Sequence, residues 1–115
     1  MEDKFVYMTA EQIEERKAKV AAIEGLDELR AAKADAGDAQ PDAFYDKFHK
    51  YCELRVKFPR AAVYLEAERW ISTEDPIKVR LGSRAMEKIL DGEDPEAVIQ
   101  EMSQGLDAFY LAQEG

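Results

Sequence analysis

FYDKFHKYCELRVKFPRAAVYLEAERW, residues 44–70, holds seven of the eleven aromatic side chains of this 115-residue chain: Phe44, Tyr45, Phe48, Tyr51, Phe58, Tyr64 and Trp70. At 100° per residue, Phe44, Phe48, Tyr51, Cys52 and Phe58 fall within an arc of about 140° on a helical wheel. Pro59 cannot accept a place inside a helix, because it lacks the N–H donor and pushes Phe58 out of helical geometry. The stretch therefore reads as two helices hinged at Pro59. In the second, Val63, Tyr64, Ala67, Trp70 and Ile71 share one broad face while Ala61 and Leu65 lie on another. A helix apolar on two sides belongs at the centre of a bundle. The rings of both helices are expected to form the core, with Trp70 buried.

Arg55 breaks the pattern, since it lies near the middle of the aromatic arc. A cation there must reach out to solvent, stack on a ring or meet a carboxylate. Glu66 or Glu68 of the following helix is the plain expectation. A carboxylate or phosphate on a partner is the functional one.

Outward from that stretch, the punctuation continues to read as helices. Thr9-Ala-Glu-Gln12 is a capping box, followed by a helix to about Glu24 with Ile13, Val20 and Ile23 on a narrow stripe. Leu26 and Leu29 fall off that stripe, so Gly25 is read as a stop and residues 26–36 as a second short helix ending at Gly37. ADAGDAQP, residues 34–41, reads as a linker, and Pro41 suits a first helical turn. Asp75-Pro76 and Asp94-Pro95 repeat a cap-then-proline start. Between them run Ile77, Leu81, Ala85 and Ile89 at i+4 spacing, with Gly82 inside the face as a point of close approach. After Pro95, Val98, Ile99, Met102, Leu106, Phe109 and Tyr110 share a face. The prediction is an all-α fold: a compact bundle of four to five short helices, closed by a C-terminal antiparallel hairpin of residues 76–90 and 95–112.

A chain of this length suits one domain over residues 1–115. Within it, 41–112 is expected to be the core bundle. Residues 1–40, poor in rings, should be more loosely docked, with Phe5, Val6, Tyr7 and Met8 pinned as an extended arm. The start MEDKFVYM lacks the blocks of a signal peptide, no apolar run approaches the roughly 20 residues that span a bilayer, and one Cys cannot make an intramolecular disulfide. These features predict a soluble cytoplasmic protein without membrane contact.

Formal net charge is −9, from 25 acids and 16 bases. Residues 47–60 carry Lys47, Lys50, Arg55, Lys57 and Arg60 against Glu53, a net +4 that leaves −13 for the remainder. Residues 91–101 add Asp91, Glu93, Asp94, Glu96 and Glu101 with no base. A basic patch on an acidic body opposes non-specific nucleic-acid binding. Lys47, Lys50, Arg55, Lys57 and Arg60, with Glu93, Glu96 and Glu101, are the candidate interaction residues.

Catalytic and metal chemistry find little support. Asp46, His49 and Glu53 share a helix side, but a carboxylate-bridged di-iron bundle needs two Glu-x-x-His pairs and more glutamates. Cys52 has His49 one turn away and no third group to orient it. Nucleotide-binding loops and zinc-finger spacings are missing. A helix-turn-helix DNA reader is opposed by GEDP and Glu96 at the start of its recognition helix, with Lys78, Arg80, Arg84 and Lys88 on the preceding one. The run from Ser83 to Phe109, with GEDPEAVIQEM at its centre, loosely resembles the closing helix pair of sugar-binding transport proteins. That likeness covers under a quarter of a chain too short for their two-domain fold, and amounts to two capped helices.

The reading is therefore a non-catalytic interaction protein without cofactor or metal, whose partner is another protein or a second copy of itself. The alternative is an acidic nucleic-acid mimic that blocks a nucleic-acid-binding protein.

Overall fold

Helices form where the caps and prolines start them. The computed structural model describes residues 9–114, and within them are α1 (Ala10–Ala21), α2 (Leu26–Gly37), α3 (Pro41–Lys57), α4 (Pro59–Ile71), α5 (Pro76–Leu90) and α6 (Pro95–Glu114). The all-helical class stands, with six helices in place of four to five. The arm expected over Phe5–Met8 lies outside the described residues.

Local chemistry accounts for the boundaries. Thr9 and Gln12 exchange the two hydrogen bonds of a capping box, at 3.1 and 2.9 Å. Asp75 accepts from the Ile77 amide at 3.1 Å, and Asp94 from the Ala97 amide at 3.3 Å. Phe58, with φ −123° and ψ 72°, is the non-helical residue that Pro59 demands.

α4 is the hub. Ala61, Val63, Tyr64, Leu65, Ala67 and Trp70 are all buried, and α2, α3, α5 and α6 each contact it. The closest approach is to α5, where Gly82 faces α4: a Cβ there would stand 2.8 Å from the Ala67 carbonyl and 3.0 Å from the Trp70 Cβ. The helix propensity that glycine forfeits, about 1 kcal/mol, is offset by this contact. α6 lies along α5, with Lys88 meeting Glu101, Leu81 meeting Gly105 and Asp75 meeting Tyr110. Val98 and Met102 of α6 reach the core, but Phe109, Tyr110 and Leu111 do not. α6 has 20 residues against 15 in α5. At 1.5 Å per residue its end overhangs by more than a turn.

Residues 9–40 divide. α2 is firmly docked: Leu29 is fully buried, and Ile23 and Leu26 nearly so. Gly25 turns the chain into α2 at φ +79°, and the Phe58 ring lies where its Cβ would be. One glycine thus permits the turn and seats the α3–α4 hinge against it. α1 is different. Its residues are exposed or half-buried, a groove of about 600 Å³ opens between it and α2, and Arg16 ties it to Glu87 of α5.

The main correction concerns the rings. Phe58, Tyr64 and Trp70 are buried, but Phe44, Tyr45 and Phe48 remain 37, 80 and 45 % exposed. Each of the 17 residues of α3 up to Lys57 is exposed or half-buried. α3 packs on α2, and its less exposed positions are Ala43, Lys47, Tyr51, Cys52 and Leu54. The Lys47–Asp35 ion pair, 3.0 Å, marks the α2-facing flank. The molecule is 25 Å through its thinnest direction, about two helices deep, and among the described residues no third layer covers the ring side of α3.

Two substitutions separate these roles. Leu29→Ala is expected to cost about 2–5 kcal/mol in urea unfolding, and Phe44→Ala under about 1 kcal/mol. A ring-centred core would reverse that order. Gly82→Leu forces side-chain atoms into the α4 backbone and should lower the free energy of urea unfolding by about 1–3 kcal/mol, despite a helix-propensity gain of about 1 kcal/mol.

Candidate functional site

Phe44, Phe48, Tyr51 and Arg55 follow one another at i, i+4, i+7 and i+11, which puts them on one stripe of α3. Phe44 and Phe48 pack on each other instead of into the core, while Tyr51 is half-buried and also packs against it. Phe44 and Phe48 stack with centroids 5.6 Å apart, Phe48 and Tyr51 are tilted at 6.5 Å, and Tyr45 meets the edge of Phe44 at 5.8 Å. Arg55 ends the row with its guanidinium 5.8 Å from the centre of the Tyr51 ring. Val56, 83 % exposed, flanks it.

The expected carboxylate partners of Arg55 are engaged elsewhere. Glu66 binds Arg69 and accepts from the Trp70 indole N–H at 2.9 Å, and Glu68 pairs with Arg30 at 2.8 Å. Arg55 makes no ion pair among the described residues. It stands on the wall of an open groove of about 760 Å³ over α4, with Val56 beside it, Val63 and Glu66 on the floor, and Glu96 and Ile99 of α6 opposite. Its lining is mixed: Val56, Pro59, Ala62, Val63 and Ile99 are apolar, and Arg55 is the one cation among three carboxylates, Glu66, Asp94 and Glu96.

The other bases do not gather into one patch. Lys47 is turned to Asp35, Lys50 borders the α2 side near Leu54 and Asp38, and the Lys57 ammonium lies 5.3 Å over Phe58. Arg60 points inward and donates to the Ile89 and Glu93 carbonyls at 3.2 and 2.9 Å, where a cation suits the C-terminal end of α5. Of the acids, Glu93 is exposed with its carbonyl held by Arg60, and Glu96 faces the groove. Glu101 is clasped by the Lys88 ammonium, 2.6 Å to both oxygens, with Arg84 at 3.7 Å. Arg60 and Glu101 are thus fastenings of the bundle, whereas Arg55 and Glu96 front an open space.

His49 pairs with Glu53 at 2.9 Å on an exposed side, and Cys52 is half-buried on the groove wall. Among the described residues no three of His, Cys, Asp and Glu converge as metal ligands, and no helix is long and apolar enough to cross a membrane.

Sequence reading missed that the arc of α3 is open, along with Tyr45, Val56 and the α6 overhang. One signal was visible: a cation in the middle of a ring arc marks a face that is not core. Against protein-family models, curated proteins and solved structures, the chain finds no match.

The fastenings set a pH response. The Arg69 hydrogen bond, aided by the Trp70 N–H and opposed by partial burial, holds the Glu66 carboxyl below its ordinary 4.5, and Lys88 does the same for Glu101. Both pKa values are lower folded than unfolded. Their stabilisation is therefore complete above about 4.5 and is lost as pH falls through the lowered values. Melting temperature measured from pH 6 to 3 should fall less steeply in Glu66→Gln than in wild type.

Proposed function

We propose that this chain is a non-catalytic, all-helical interaction protein that acts by presenting the ring stripe of α3 to another protein chain. One observation carries the reading: a 17-residue helix that holds three exposed rings, a valine and a lone arginine on one uncovered side. Ring–ring contacts contribute about 0.5–1.5 kcal/mol each, while full burial of such a side chain contributes about 1.5–3 kcal/mol. The stripe therefore retains free energy that a covering surface would release. From the exposed fractions, Phe44, Tyr45, Phe48 and Val56 leave roughly 400 Å² of apolar surface, a patch of the size that is often functional on a monomer.

In this reading α2, α4, α5 and α6, closed by an antiparallel α5–α6 hairpin, form the rigid body that holds α3 outward. A protein partner would lay an apolar helix face along the stripe and into the groove, with polar groups for Arg55 and Glu96. The setting is the cytoplasm, and neither cofactor nor metal takes part. The ion pairs at Glu101 and the Arg60 contact at Glu93 interrupt the acidic run, which weighs against the nucleic-acid mimic.

Phe48→Glu tests the proposal, because position 48 is exposed enough to accept a charge. Helicity by circular dichroism and melting temperature should stay near wild type. Partner retention in affinity capture should fall about 30-fold, the scale of a binding hot spot. Equal capture by both baits would refute the role of the stripe.

A further inference from the structure

Resting on that reading of the stripe, we infer that its occupant is a second copy of this chain, with the two α3 helices packed antiparallel across a two-fold axis. The spacing of the stripe is its own mirror: Phe44, Phe48, Tyr51 and Arg55 are separated by four, three and four residues. Reversing a second α3 about the midpoint between His49 and Lys50 sets Phe48 opposite Tyr51 and Phe44 opposite Arg55. Both pairings recur on the other side of the axis, as an isologous contact requires.

Charge selects the direction. Arg55 is the one formal charge on the stripe, and its guanidinium already lies over a ring. The antiparallel pair gives each Arg55 a second ring, Phe44 of the other copy, which is the favourable cation–π arrangement. A parallel pair would place the two guanidinium groups together and align the helix dipoles, both repulsive. Area permits the pairing. A stable interface buries about 800 Å² on each partner. The roughly 400 Å² of exposed rings and valine supply half of this, and Tyr51, Cys52, Arg55 and the groove margin adjoin them on the same side.

Cys52 reports the geometry. It lies 2.5 residues from the axis, so two copies are offset by about 7.5 Å along the helices. With an interaxial distance of 8–10 Å, the two Cys52 Cα atoms come to about 11 Å. That exceeds the reach of a disulfide, about 7 Å, and suits a short bismaleimide.

The purified full chain is examined by sedimentation equilibrium and by cross-linking with bismaleimidoethane. The expected result is a species of twice the 13.1 kDa chain mass, with a covalent dimer formed by the bismaleimide and little formed by air oxidation. Phe48→Glu and Tyr45→Glu, at exposed positions, should each raise the dimer dissociation constant at least tenfold and remove the cross-link while helicity is kept. Arg55→Glu should weaken the dimer, and Arg55→Lys should largely preserve it. A wild-type monomer at every concentration, or a dimer indifferent to Phe48→Glu, overturns the inference. A monomer that still captures another protein through Phe48 overturns the second copy and leaves the broader role of the stripe standing.

Discussion

The seat of α5 on α4 is the contact from which the rest of the structure follows. With no side chain at Gly82, the α5 backbone comes down onto Ala67 and Trp70, and Ala61, Ala67 and Ala85 keep the surrounding interior narrow. Small residues at a helix crossing bring more dispersion contacts per unit length than large ones would allow. Once the two helices are seated, α6 is carried along by its contacts with α5, and α2 fills the remaining side of α4 with Leu26 and Leu29.

Enclosure of α4 by α2, α5 and α6 leaves α3 outside. It joins the bundle at its C-terminal end, where the Phe58 ring sits on Gly25, and along a flank of Ala43, Lys47 and Leu54 against α2, of which Leu54 reaches the core. The polar contacts reinforce this division. Arg60, one residue beyond Pro59, reaches back to the end of α5 and braces the hinge. Lys88 and Glu101 lock α5 to α6. Arg55 is left without such a partner, beside rings that stack on one another. The same hinge that closes the core therefore sets out the surface proposed for recognition.

That arrangement carries a cost. Exposed rings on a helix invite non-specific association, and a net charge of −9 offsets it by keeping chains apart in solution. α3 itself is close to neutral, with Lys47, Lys50, Arg55 and Lys57 against Asp42, Asp46 and Glu53, so repulsion is weaker there than over the acidic remainder. A surface of this kind favours contact at one place while discouraging it elsewhere.

The helix boundaries were legible in the residues themselves. Thr9 and Gln12, Asp75 before Pro76, Asp94 before Pro95 and the break at Pro59 act through bonds and sterics within a few positions, and local chemistry suffices for them. The first helix ends at Ala21, short of the expected Glu24, and Gly25 opens α2 instead of stopping α1. The centrality of α4 was equally readable, since a helix apolar on two sides has nowhere else to go, and Gly82 announced a close neighbour. Which helix would cover the arc of α3 was not readable. A wheel shows that Phe44 and Phe48 share a side, but an arc has the same period whether it meets another helix or water. That outcome depends on where α2 and α6 are left once α4 is filled, and on the lengths of α5 and α6, which carry Leu111 past the start of α5 and leave Phe109 and Tyr110 at the rim of the bundle. Likewise the bases at 47–60 form a patch in the one-dimensional count. In three dimensions the turn at Pro59 and the pull of the Ile89 carbonyl send Arg60 inward and Arg55 out.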